Sequence, residues 1–149
     1  MKLNLTKDEY RLLLDLVYLG DWMITAHQVG EDAPLVKKYE PLVQKIFSHV
    51  GEAGFDDLVE KSKDDGRFHP TRKLEEEEGN LEVIFSYDED SFWHELIDRL
   101  SERDVLAQTS DGRMPKFEDY YKIAGPLEEM YANEFEARGL ERLKLMPNA

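Results

Sequence analysis

From Lys7 to about Gln28 the chain runs without a proline, and the helix it would form is apolar around most of its circumference. This stretch limits the fold more than any other. Thr6 followed by Glu9 is a capping-box pattern, in which hydroxyl and carboxylate each satisfy the other residue's amide, so a helix is expected to begin there. It would run about six turns, ~33 Å, to a loop containing Gly30. Tyr10, Leu13, Leu14, Val17 and Ile24 line one face, and Leu12, Leu16, Leu19, Met23 and Ala26 another. Only a ridge of Arg11, Asp15, Tyr18, Trp22 and Thr25 is polar or amphipathic. Such a helix must be covered on several sides, by the rest of the chain or by a second copy.

The remaining pattern is also mainly helical. A second helix is expected over Leu35–Val50, with Pro34 near its start and Pro41 either kinking it or marking its true beginning. A short helix fits Phe55–Lys63. Residues 64–80 combine Gly, Pro and four consecutive glutamates with little to bury, and read as a flexible acidic surface loop. Residues 81–87 suit either strand or helix periodicity and are read as helix. Asp90 or Ser91 can cap a helix to Gln108, and a last one spans Lys116–Arg138, with Pro126 as a kink and Gly139 as its left-handed cap against Leu140 and Phe135. Met1, Leu3 and Leu5 alternate with polar residues, as do Leu143 and Leu145, which suits a two-strand ribbon joining the termini. The expected architecture is one mainly α domain over 1–149: an irregular bundle of about five to six helices around the N-terminal one, which packs on the last.

Charge narrows the function. Thirty-three acids against 19 lysines and arginines give a net charge of -14, which disfavours direct binding to nucleic acid or anionic membranes. No apolar run approaches the ~20 residues that span a bilayer, and the opening MKLNLTKDEY lacks the apolar segment of a secretory signal, so a cytoplasmic protein is expected. The absence of cysteine removes disulfides, thiolate metal sites and a cysteine nucleophile.

No HExxH, GxSxG, Walker-type or GxGxxG motif is present, so no cofactor or metal is expected. The densest polar cluster is Asp90, His94 and Asp98, each four apart, where two carboxylates could flank an imidazole on one helical face. The same spacing suits an ordinary charged outer face. Tyr18, Trp22 and Trp93 are candidate interface anchors, because a partly exposed aromatic buries large area at small entropic cost. Three readings follow: a non-enzymatic protein–protein interaction or regulatory module, expected as a homodimer; a small metal-binding or acid/base enzyme using His94 with Asp90 and Asp98; and an acidic DNA-mimic or antitoxin-like protein. The first is favoured.

Overall fold

A computed structural model of the chain describes residues 2–28, 33–109 and 113–144. Among them the fold is mainly α, with five α-helices and one two-stranded antiparallel sheet. None of these helices is long and apolar enough to cross a membrane. The chain divides into two compact units, residues 1–86 and 87–149.

In the first unit, α1 (Lys7–Thr25) starts on the expected box: the Glu9 amide donates to Thr6 Oγ1 at 3.2 Å and the Thr6 amide to Glu9 Oε2 at 2.8 Å. Helix α2 (Pro34–Phe47) has proline in its first turn, where a missing amide costs nothing, and continues through Pro41 without ending. A single turn, α3 (Val50–Ala53), stops at Gly54, whose φ of 73° suits the absence of a Cβ.

The expected helix at 55–63 is replaced by a hairpin. Strand β1 (Val59–Lys61) pairs antiparallel with β2 (Phe68–Pro70), Val59 opposite Pro70. The physical reason lies in the turn. Asp65 accepts the Arg67 amide at 3.0 Å and Gly66 takes a φ of 72°, while Leu58 and Val59 are buried. That amide holds the Asp65 carboxyl down to about 2.

The expected loop at 64–80 therefore contains β2 and, beyond it, a π-helical turn at Lys73–Glu77. Leu74 explains the departure, because this one apolar side chain among the glutamates is fully buried and anchors the segment to the core. Helix α4 (Asn80–Gln108) then joins the helix read at 81–87 to the one read from Ser91, since no glycine or proline separates them.

The core of this unit gathers Leu14, Tyr18, Phe47, Val50, Leu58, Val59, Leu74 and Ile84. Within this unit α1 is covered by α2, α3 and the 55–84 segment.

In the second unit, α4 continues to Gln108, and α5 (Phe117–Arg138) carries Pro126 in its interior. Gly139 ends α5 at φ 54° and ψ -132°, a glycine conformation other than the expected left-handed helical one, and Leu140 is exposed. The only strand pair among the described residues is β1–β2. Leu3, Leu5 and Leu143 lie outside strands, so the expected terminal ribbon does not form there; short alternation without a paired edge is not stable by itself. Met1 and Leu145 lie outside the described residues.

Candidate functional site

Helix α1 buries the face that its sequence suggested would be the outer ridge. Tyr18 is 8% exposed and belongs to the core, and Trp22 is half-buried against it. An anchor must be reachable, so Tyr18 is corrected from interface to core residue. The rest of the ridge is tied inward. Arg11 bridges Asp15 at 2.7 Å and Glu78 at 2.8 Å, and the buried Asn80 amide donates to Asp15 Oδ1 and to the Leu74 carbonyl, each at 2.8 Å. The charged groups of the ridge, Arg11 and Asp15, are thus paired with each other and with partners from outside α1, as partial burial of charge requires.

With the ridge facing inward, the second apolar face points out. Leu12, Leu16 and Met23 are 63%, 68% and 50% exposed. Together with the half-buried Leu19 they recur at intervals of four, three and four residues, the spacing of a helix-to-helix seam. Gly20 lies one turn after Leu16, and a Cβ built there meets nothing within 4 Å.

A separate open groove of about 860 Å³ is formed by the N-terminal segment, α1, α2 and α3. Leu3, Leu5, Tyr10, Leu13, Leu42 and Ile46 give it apolar walls. Its shape is held where the Tyr10 hydroxyl donates to the Ile46 carbonyl at 2.6 Å, joining α1 to α2. Burial, and then the Glu52 charge, push that phenol up to about 12. Lys7, Lys45 and His49 also line the groove. Lys7 lies over the Phe55 ring at 4.8 Å and His49 pairs with Glu52 at 3.3 Å.

A second, smaller pocket of about 250 Å³ includes Asp21, Thr25, Glu40, Gln44 and Arg67. Its polar groups are mostly engaged. Glu40 pairs with Arg67 at 2.8 Å, Gln44 bonds both backbone groups of Phe68 at 2.7 and 2.8 Å, and Thr25 donates to the Asp21 carbonyl. Burial, with the Glu40 charge second, raises the Asp21 carboxyl above the usual carboxylate range.

The His94 cluster lies on the exposed side of α4. His94 Nδ1 is 2.8 Å from the Asp90 carbonyl and 3.5 Å from its carboxylate, and both side chains are largely in solvent. Asp98 is exposed too, and no set of three metal-capable side chains gathers among the described residues. Trp93 is half-buried: its Nε1 donates to Glu89 at 2.6 Å and its ring packs on Phe135 at 5.5 Å.

The outer stripe of α1 was legible as an apolar face. The groove was not, because its walls come from three separate segments. Compared with protein-family models, curated proteins and solved structures, the chain matches none of them.

Proposed function

We propose that this chain is a non-enzymatic protein-interaction module that works as a homodimer, with the outer face of α1 as its contact surface. The observation that carries the reading is that α1 is apolar on two sides and its own unit covers one, leaving Leu12, Leu16 and Met23 in water over ~16 Å of helix. Full burial of such a side chain is worth about 1.5–3 kcal/mol, so burying the half that remains exposed contributes about 1–2 kcal/mol. Three residues on each of two protomers then give roughly 6–12 kcal/mol. That is comparable with the ~4–15 kcal/mol that association costs, so the stripe needs a further apolar contact to make a stable dimer.

Sedimentation equilibrium tests the reading. Between about 1 and 100 μM, which brackets a ~10 μM dimer, the mass should rise toward twice 17.4 kDa. Replacing Leu12 and Leu16 together by Lys should hold it at one chain while circular dichroism stays helical. A wild-type chain that remains monomeric throughout that range removes the proposal.

A further inference from the structure

We infer that the groove of one protomer receives the α4 face of a second copy that carries Phe85, Asp88, Glu89 and Phe92. The inference rests on the self-association reading and names the element that completes it. The stripe alone comes close to balancing the cost of association, so a second contact must bury further apolar surface, and the groove of the first unit has unfilled apolar walls.

The chain carries an element of matching chemistry. Phe85 and Phe92 are 64% and 47% exposed and stand seven residues apart on the continuous helix α4, about 10 Å along one face. Asp88 and Glu89, both exposed, fall between them at the third and fourth positions after Phe85, on that same face. The result is two aromatic anchors with acids between them, the form of a helix that lies in an apolar groove.

Charge selects this occupant over a neutral one. In a chain with a net charge of -14, the groove is lined by Lys7, Lys45 and His49 against Glu52 alone. Lys45 has no ion-pair partner among the described residues. An acidic helix face supplies the missing counter-charge. An isologous pair makes the contact twice and closes, which gives a dimer rather than a filament.

Lys45→Glu and Asp88→Lys test this directly, because both side chains are exposed and neither change touches the core. Each variant alone should dimerise about tenfold more weakly, as two exposed ion pairs per dimer turn repulsive. Mixed in equal amounts, the two variants should form a heterodimer visible by native mass spectrometry. One of its contacts is then Glu against Lys and the other is native. Phe85→Ser should weaken the dimer in a manner independent of salt, whereas the charge effects should fade in concentrated salt. A wild-type dimer whose constant is unchanged by Lys45→Glu and Asp88→Lys, with no preference for the mixed pair, overturns this inference and leaves self-association standing. A wild-type monomer overturns both.

Discussion

In the first unit, eight buried apolar side chains from α1, α2, α3, the hairpin and the residue before it, the π-helical turn and the start of α4 meet in one cluster, whereas in the second the buried apolar residues among those described are Val105, Ala124 and Phe135. The second unit relies more on contacts at the helix surface. Trp93 packs at a tilt and Tyr131 stacks on Phe135, and the Tyr131 hydroxyl donates to Asp104, which also accepts from Arg103 at 2.7 Å. Those hydrogen bonds, first from Arg103 and then from Tyr131, hold the Asp104 carboxyl below its ordinary value. Both regions are helical, but one is fixed by packing among distant segments and the other by side-chain pairs between two helices. Substitutions should separate them accordingly.

The largest effect is expected at Leu14, fully buried in the first unit. Leu14→Ala should cost about 2–5 kcal/mol in urea unfolding followed by the fluorescence of Trp22, with Trp93 replaced by Phe. Leu12→Ala, on the opposite side of the same helix, should change the free energy of the monomer by no more than about 0.5 kcal/mol. Equal costs at the two positions would contradict the assignment of inner and outer faces.

A smaller effect, of about 1.5 kcal/mol at most, is expected for Tyr10→Phe, which removes the hydroxyl bond to the Ile46 carbonyl. Its pH dependence is specific. The folded phenol lies at about 12 and the unfolded one at ~10. The contribution is therefore whole below pH 10 and is lost as pH rises toward 12, where the unfolded chain ionises first. The difference between wild type and variant should shrink over that interval. A difference that stays constant from pH 9 to 12 would show that the phenol is not held neutral by the fold.

The second unit offers the opposite sign. Ser101 is fully buried, and its hydroxyl has no hydrogen-bond partner among the described residues. Since an unpaired buried hydroxyl is a penalty, Ser101→Ala should stabilise by about 1 kcal/mol, read as a higher midpoint of thermal unfolding. A destabilised variant would mean that the hydroxyl finds a partner in solution, such as a buried water.

The features legible in the sequence share one property: their signals are local. Thr6 with Glu9 placed the start of α1, Pro34 the start of α2, and Gly139 the end of α5. The hairpin was hidden because strands of three residues carry no readable period. Leu74 was hidden because one apolar residue among glutamates looks like a loop until it is seen buried. The inner and outer faces of α1 were exchanged because Tyr18 and Trp22 have polar tips on large apolar bodies, and burial followed the bodies. The groove needs Leu3, Tyr10 and Leu42 brought together by three segments, and no pattern along the chain records that.

The smallest change tests the contact surface most finely. Gly20 in α1 and Gly125 in α5 each sit in a helix interior where an added Cβ meets nothing within 4 Å. Replacing Gly20 by Ala should raise the stability of the folded chain by just under about 1 kcal/mol through helix propensity, whereas at Gly125 the new Cβ crowds the ring of the following Pro126 and offsets that gain. Their effects on association should differ. Gly20 follows Leu16 by one turn and precedes Met23 by three residues, so a methyl there obstructs the close approach of a second copy along the stripe. Gly20→Ala is thus expected to raise the unfolding midpoint of the monomer and weaken the dimer together, while Gly125→Ala leaves the dimer alone. If Gly20→Ala dimerises as well as wild type, the contact ends before that turn and rests on Leu12, Leu16 and the groove.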